Sequence, residues 1–247
     1  MTLVENMRAL RRAQKSSSGA PAYSRFINRP MGRFFAAAAH SLGLAPDQVT
    51  ALSGFCTFAG IATIALVAPT PMSSLVIVAL LVIGYALDSA DGQLARLRGG
   101  GSLRGEWLDH VVDATKMSTI HLAVLVCWAR FYDVAAGWLL VPIAFAVVSM
   151  IFFFGVILTD LLRRIASAST PPRDEPAPER KLRASPLYSV AVLPADYGLL
   201  MLVFVTLALP PVFMTLYTAL LAVNALILAA SLVRWFRSLP AEAVARA

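Results

Sequence analysis

Four aspartates lie at helical spacings within an apolar stretch of the chain, and their side chains could bind metal ions. They are Asp88, Asp91, Asp109 and Asp113. The first two are three residues apart and the last two are four apart, so each pair occupies one face of a helix. Two such helices side by side would direct all four carboxylates to one point. Because neighbouring carboxylates repel one another, the cluster predicts a bound cation.

The chemistry that this cluster suits is phosphoryl transfer. Carboxylates without His or Cys ligands favour Mg²⁺, Mn²⁺ or Ca²⁺ over zinc. A carboxylate-held Mg²⁺ commonly completes its shell with substrate phosphates, which indicates a diphosphate substrate. Gly92 and Gly105 extend the two acidic stripes and would let a nucleotide approach the backbone, while Arg96 could contact a phosphate. One carboxylate would deprotonate an attacking hydroxyl.

The composition requires that membrane helices position these residues. The chain has 247 residues, of which 58% are hydrophobic and 14% charged, and its mean hydropathy is +0.72. Ordinary soluble domains have roughly 25% charged residues. Long stretches without Lys or Arg leave room for six spans of about 20 residues. We predict these spans at Gln48–Val67, Met72–Leu94, Trp107–Trp128, Ala136–Leu158, Leu187–Leu207 and Val212–Val233.

The positive charges indicate the orientation of the spans. All 21 Lys and Arg residues except Lys116 and Arg130 fall before the first span, between spans two and three or four and five, or after span six. By the positive-inside rule, both termini and the aspartate site face the cytoplasm of a cell membrane. Although the net charge is +7, bases in juxtamembrane loops favour anionic lipid headgroups as partners, so no nucleic-acid partner is predicted.

The predicted fold is an all-α integral membrane protein with six transmembrane helices. A flexible basic tail is expected over residues 1–23, and a juxtamembrane interfacial helix over 24–44. In that helix, Arg25 and Arg33 project opposite Ile27, Met31 and Phe35, as in a helix lying among lipid headgroups. A six-helix catalytic domain over 45–239 and a cytoplasmic tail over 240–247 complete the predicted organisation.

The aspartate motif resembles the signature of the CDP-alcohol phosphotransferase family. The pattern Asp-x-x-Asp-Gly-x-x-Ala-Arg, eight residues, Gly-x-x-x-Asp-x-x-x-Asp matches at all eight fixed positions. The resemblance implies a homodimeric six-helix membrane enzyme of phospholipid biosynthesis that transfers the phosphate-bearing half of a CDP-linked donor to an alcohol and releases CMP. It also implies that two Mg²⁺ or Mn²⁺ ions are bound by Asp88, Asp91, Asp109 and Asp113. The same resemblance implies that Asp113 is the general base. The residues implied at the CDP group are Asp88, Asp91, Gly92, Ala95, Arg96, Gly105 and Asp109.

The substrates stay open at this stage. The short chain and its similarity to the prokaryotic branch favour CDP-diacylglycerol as donor, with an alcohol or alcohol phosphate as acceptor. The pair Asp109-His110 instead resembles enzymes that transfer phosphocholine or phosphoethanolamine to diacylglycerol. A Mg²⁺-dependent membrane prenyltransferase is a more distant alternative, and a cation carrier is a third.

Five further residues are candidates for binding the acceptor: Lys116, His110, Arg163, Arg164 and Asp196. Each has a second interpretation. Lys116 could neutralise Asp113, and His110 could pair with Glu106. The two arginines could serve only as topology signals at the end of span four. Asp196 could line a cavity or cap a local helix beside Pro194. His121, deeper in its span, is expected to be a packing residue with satisfied hydrogen bonds.

Overall fold

The protein is a bundle of α-helices. Our computed structural model describes Met7, Leu10, residues 20–168 (the last two by backbone alone), Ser185, Ser189 and residues 193–239, and none of these residues is in a β-strand. The α-helices are α1 (Arg29–Ser41), α2 (Pro46–Leu66), α3 (Pro71–Leu97), α4 (Leu103–Phe131), α5 (Leu140–Ala168), α6 (Tyr197–Val203) and α7 (Pro210–Ser238). A π-helical turn (Ser24–Asn28) precedes α1, and 3-10 turns lie at Ala136–Leu139, Leu193–Ala195 and Phe204–Thr206.

Five helical segments in the described part of the chain are long and apolar enough to cross a membrane: α2, α3, α4, α5 with its preceding turn, and α7. Their mean hydropathies range from 1.3 to 2.7. These five confirm the first four predicted spans and the last, and they make the protein a multi-pass membrane protein. In the region of the remaining predicted span, Leu187–Leu207, there is a shorter apolar helix, Tyr197–Thr206. Residues 187, 188 and 190–192 of that span lie outside the described residues, so the sixth span stays a prediction.

The helix boundaries follow from residues that begin helices. Proline occupies the first turn of α2, α3 and α7, where its missing N–H costs no hydrogen bond. Thr70 caps α3 by accepting a hydrogen bond from the backbone N–H of Ser73 (3.0 Å). Ser102 caps α4 in the same way, accepting from the N–H of Gly105 (3.0 Å). The gaps that the predicted spans leave at 68–71 and 208–211 therefore fall where helices end or begin.

Small residues allow α2 and α3 to approach closely. The Ser53 hydroxyl donates a hydrogen bond to the Gly84 carbonyl oxygen (2.8 Å) across the two helices. A Cβ atom added to Gly84 would overlap the Thr57 side chain and lie 3.1 Å from the Thr57 backbone nitrogen. The contact therefore depends on a residue without a side chain, and it fixes the helix that carries Asp88 and Asp91 against its neighbour.

Helix α1 packs against the half of α3 that carries Asp88 and Asp91. Its buried face contains Ala36 and Ala37, which cluster with Leu87, Ala90 and Leu94. The opposite face includes Phe34, whose exposed fraction is 52%. The helix lies within the predicted range 24–44, and its placement among lipid headgroups stays a prediction. Of the tails, most of 1–23 and all of 240–247 lie outside the described residues.

Candidate active site

Three of the four signature aspartates converge on one point. Asp88 projects from α3, and Asp109 and Asp113 project from α4, which follows a turn containing Gly99 and Gly100, both with positive φ. One carboxylate oxygen from each of the three lies within 4.8 Å of the others. The expectation that two neighbouring helices direct their acids to one place is therefore confirmed for these three.

Lys116 is the cation within this acidic cluster. Its side chain is only 3% exposed, and its Nζ lies 2.7 Å from Asp88 Oδ1 and 2.5 Å from Asp113 Oδ1. Lys116 thus joins α3 to α4 and neutralises part of the cluster, which is the second of its two sequence interpretations. One ammonium cannot balance three carboxylates, so the site keeps a net negative charge.

Asp91 lies one turn beyond Asp88 and has different partners. Its Oδ2 accepts a hydrogen bond from the Thr50 hydroxyl (2.5 Å), and its Oδ1 accepts from the Gly92 N–H (2.5 Å). The residue is 7% exposed. The structure therefore places Asp91 beside the three-acid cluster rather than within it, oriented by helix α2 through Thr50.

The arrangement fits a hard divalent cation. Carboxylate oxygens are the ligands that Mg²⁺ and Mn²⁺ prefer, and three of them converge here with excess negative charge. Asp88, Asp109 and Asp113 could hold such an ion. Asp91, whose carboxylate oxygens are not saturated by one hydrogen bond each, could contribute further.

A polar cavity of about 230 Å³ opens on one side of the cluster. Its lining residues are Arg29, Asp88, Ser89, Asp91, Gly92, Gln93, Arg96 and Asp109. It contains five of the seven residues predicted at the CDP group; Ala95 and Gly105 do not line it. A Cβ atom at Gly92 would meet only the tip of Arg96, at 3.5 Å, so the missing side chain leaves open space there. Two guanidinium groups and three carboxylates in one small cavity suit a metal-bound diphosphate.

A larger cavity of about 410 Å³ opens on the other side. At one end it is polar, with Asp88, Asp113 and Lys116. Asp196 and Tyr197 form another part of its wall. Helix α5 contributes an apolar wall of Phe145, Val148, Phe152, Phe153 and Val156. Asp88 lines both cavities and so lies between them.

The five acceptor candidates do not all lie at this site. Lys116 and Asp196 line the larger cavity. The other three line neither cavity, and their contacts are elsewhere. Arg164 pairs with Glu106 (2.8 Å) and Asp160 (2.6 Å), and Arg163 donates to the Ser238 hydroxyl (2.7 Å). His110 Nε2 lies 4.0 Å from Glu106 Oε1.

Asp196 has both of the roles that the sequence offered as alternatives. It caps α6 by accepting from the Gly198 N–H (2.9 Å), and its other oxygen accepts from the Ser24 N–H (2.8 Å). His121 hydrogen-bonds to the Tyr217 hydroxyl (2.5 Å) and the Ser149 hydroxyl (2.8 Å), as expected of a satisfied packing residue, and it also lines the larger cavity.

Sequence reasoning missed several residues of the site. Arg29 reaches the polar cavity from α1, which is tied to α3 by the hydrogen bond from the Gln93 side-chain amide to the Arg29 carbonyl oxygen (3.1 Å). Tyr85 and Tyr197 line the larger cavity from α3 and α6. None of the three belongs to the motif. Arg29 and Tyr197 are brought to the site by contacts between distant segments, whereas Tyr85 lies three residues before Asp88 on the same helix. The sequence signal nearest to Arg29 was the predicted interfacial helix over 24–44, which contains this residue but does not indicate that it reaches the cavity.

Fold and site together define a multi-pass membrane protein with an acidic cluster between two cavities. A sequence model of the CDP-alcohol phosphatidyltransferase family matches residues 43–235, so the chain belongs to this family and is a CDP-alcohol phosphotransferase. The fold is similar to that in the crystal structure of Mycobacterium tuberculosis phosphatidylinositol phosphate synthase (PgsA1) with CDP-DAG bound. The TM-score is 0.53 and the identity 23%, over 89% of this chain and 99% of that chain. No curated protein sequence matches the chain.

Proposed function

We propose that the enzyme transfers the phosphatidyl group of CDP-diacylglycerol to an alcohol or alcohol-phosphate acceptor and releases CMP. The reaction would take place at the cytoplasmic face of the cell membrane, where the positive-inside distribution of Lys and Arg places the signature. The resemblance to the family also makes a homodimer the expected assembly. The observation that carries the proposal is the position of Asp88 between a polar cavity and a larger, mainly apolar one.

The polar cavity suits the CDP half of the donor. Arg29 and Arg96 offer guanidinium groups to the phosphates, and the open space at Gly92 admits the nucleotide close to the backbone of α3. Mg²⁺ or Mn²⁺ held by Asp88, Asp91, Asp109 and Asp113 would neutralise negative charge on the diphosphate oxygens. Asp91 is fixed for this role by its hydrogen bond from Thr50.

The larger cavity suits the acceptor, because it contains Asp113 and the polar cavity does not. Asp113 accepts the proton of the acceptor hydroxyl as that oxygen forms a bond to the phosphorus bearing the diacylglycerol group. The bond from this phosphorus to the bridging oxygen breaks, and the electron pair leaves with CMP. Lys116 holds Asp113 Oδ1 in place from 2.5 Å, so the second carboxylate oxygen is the one directed to the acceptor.

A second candidate is transfer of phosphocholine or phosphoethanolamine from a CDP-alcohol to diacylglycerol. Two observations favour it: the histidine that follows Asp109, and the apolar wall that α5 gives to the larger cavity. In that reaction the larger cavity would hold the glyceride, and the polar cavity would hold the CDP group as before.

Parallel assays of the purified enzyme with labelled CDP-diacylglycerol and labelled CDP-choline separate these functions. Each donor is incubated with Mg²⁺ or Mn²⁺ and a panel of acceptors that includes diacylglycerol, and CMP release is measured. The proposal expects CMP and a labelled phospholipid from CDP-diacylglycerol only. CMP from CDP-choline with diacylglycerol would establish the second candidate instead. Pyrophosphate release from a prenyl diphosphate, without CMP release from either donor, would indicate a prenyltransferase.

A further inference from the structure

The larger cavity takes part of its wall from the segment that precedes α1. Pro21 and Ser24 line this cavity, together with Tyr85 on α3 and Asp196 just before α6. The family model matches residues 43–235, so this part of the wall lies outside the region that identifies the family. The contribution of the segment to the cavity is therefore additional to that of the signature aspartates.

A clasp of three contacts holds this segment against the region around the start of α6. In the first contact, the Tyr23 ring packs on Gly198 so closely that an added Cβ there would overlap it. In the second, the Ser24 N–H donates a hydrogen bond to Asp196 Oδ2 (2.8 Å). Tyr23 and Asp196 are only 5% and 4% exposed, so both contacts are shielded from water.

The third contact of the clasp involves Arg25, which is not among the residues that line the larger cavity. Its Nη1 donates a hydrogen bond to the hydroxyl of the buried residue Ser189 (3.1 Å). The clasp can therefore be loosened at Arg25 without altering a residue of the cavity wall.

Tyr85 connects the clasp to the helix that carries the first two signature acids. It lies three residues before Asp88 on α3. Its hydroxyl lies 2.6 Å from the Ser24 hydroxyl, and it also donates a longer hydrogen bond to Asp196 Oδ1 (3.4 Å). Its ring stacks on that of Tyr23, with centroids 6.2 Å apart and an interplanar angle of 11°. The clasp therefore holds the segment in a fixed position relative to Asp88.

Asp196 is the central residue of the clasp. One of its carboxylate oxygens accepts from the Ser24 N–H, and the other accepts from the Gly198 N–H (2.9 Å). An asparagine has one acceptor oxygen and one NH₂ donor in place of these two acceptors. In Asp196→Asn, either Ser24 or Gly198 must therefore lose its acceptor, which loosens the wall segment or the start of α6.

We propose that Asp196 is a positioning residue that holds residues 21–25 in the wall of the acceptor cavity, so that this segment helps to determine which acceptor the enzyme uses. The inference rests on the proposed function, which assigns the larger cavity to the acceptor, and it deepens that function by locating a determinant of acceptor preference. Donor binding is independent of the clasp for two reasons. Neither Asp196 nor residues 21–25 are among the residues that line the polar cavity. Helix α1 also has its own contact with α3, from the Gln93 amide to the Arg29 carbonyl oxygen (3.1 Å).

The test measures CMP release from CDP-diacylglycerol by the purified full-length enzyme and three variants: Asp196→Asn, Arg25→Met and Thr70→Ala. The acceptor is the one that the wild type uses best in a panel of alcohols and alcohol phosphates. Asp196→Asn should raise the acceptor KM about threefold to tenfold, as for the loss of one hydrogen bond, with the KM of CDP-diacylglycerol unchanged. It should also change the ratio of kcat/KM values between acceptors of the panel. Arg25→Met should have the same effects to a smaller extent, about twofold to threefold in acceptor KM.

Thr70→Ala is the matched control, because Thr70 also caps a helix but lines neither cavity. It should lower the melting temperature and leave both KM values unchanged. An acceptor KM that rises equally in Thr70→Ala would overturn the inference, as would a donor KM that rises with the acceptor KM in Asp196→Asn.

Arg25→Met keeps the inference testable if Asp196→Asn does not fold. A wild-type acceptor KM in Arg25→Met would overturn the inference, because an effect of Asp196→Asn alone would make Asp196 a direct contact of the acceptor. In all these cases CMP release by the wild type would leave the proposed function standing. A wild-type enzyme that releases no CMP from CDP-diacylglycerol with any acceptor would instead refute the proposed function itself.

Discussion

Replacing Lys116 by Met tests whether the acidic cluster needs a cation to be stable. The Lys116 side chain is 3% exposed, and it pairs with Asp88 and Asp113, whose side chains are 18% and 23% exposed. Methionine fills a similar volume but carries no charge, so the substitution removes both ion pairs and leaves two partly buried carboxylates facing each other.

The expected loss of stability is large. Removing one partner of a buried ion pair costs about 3–5 kcal/mol, because the remaining charge stays buried without compensation. At about 2–4 °C per kcal/mol for a chain of this length, the melting temperature in detergent and chelator should fall by roughly 10 °C. Mg²⁺ or Mn²⁺ should then raise the melting temperature of Lys116→Met more than that of the wild type, because the ion replaces the missing positive charge.

Arg164→Met provides the matched control. Arg164 also pairs with two acids, Glu106 and Asp160, but it is 56% exposed, so solvent screens both pairs and the melting temperature should change little. Thermal unfolding is followed for the three proteins with chelator and across a metal titration. Equal melting temperatures of Lys116→Met and wild type in chelator would refute the reasoning, as would a metal-induced shift no larger in the variant.

Three further predictions concern chemistry and packing. Asp113→Asn should lower kcat about 10²- to 10⁴-fold because it removes the general base, and the fold should be kept because Lys116 still pairs with Asp88. The control is Asp133→Asn, in the exposed turn after α4. An active Asp113→Asn enzyme would exclude the catalytic role of Asp113. Chelation with EDTA should abolish CMP release, and Mg²⁺ or Mn²⁺ should restore it; full activity in EDTA would contradict a metal site. Gly84→Ala should lower the free energy of unfolding by about 1–3 kcal/mol, because the added Cβ overlaps Thr57. Gly137→Ala should not, because no atom lies within 4 Å of its added Cβ. Equal free energies of unfolding for the two variants would show that α2 and α3 can move apart.

Much of the bundle could be predicted from the sequence because membrane helices have a strong, local signal. Long apolar runs without Lys or Arg located α2, α3, α5 and α7, and an apolar run that contains Lys116 located α4. Prolines marked the first turns of α2, α3 and α7. The region before α7 was harder. Its apolar residues form a short helix with turns at either side, Leu193–Ala195 and Phe204–Thr206, and hydropathy alone cannot distinguish such a segment from a span.

The candidate site could be predicted only where its residues share a helix. The spacings within Asp88–Asp91 and Asp109–Asp113 place each pair on one face, and the structure joins three of these acids. The spacing could not show that Asp91 lies beside this group and accepts a hydrogen bond from Thr50 on α2. Nor could it show that Tyr197 and Arg29 face the two cavities, since they come from segments far apart in the chain.

The shared position of Asp88 makes occupancy of the two cavities interdependent. Asp88 lines both cavities, and its carboxylate pairs with Lys116, so a charged ligand in either cavity changes the electrostatic field that a ligand in the other cavity meets. Thermodynamic linkage then requires reciprocity: if the nucleotide strengthens acceptor binding by some factor, the acceptor strengthens nucleotide binding by the same factor. If the donor and the acceptor occupy the two cavities as proposed, Asp88 would couple the binding of one substrate to the binding of the other.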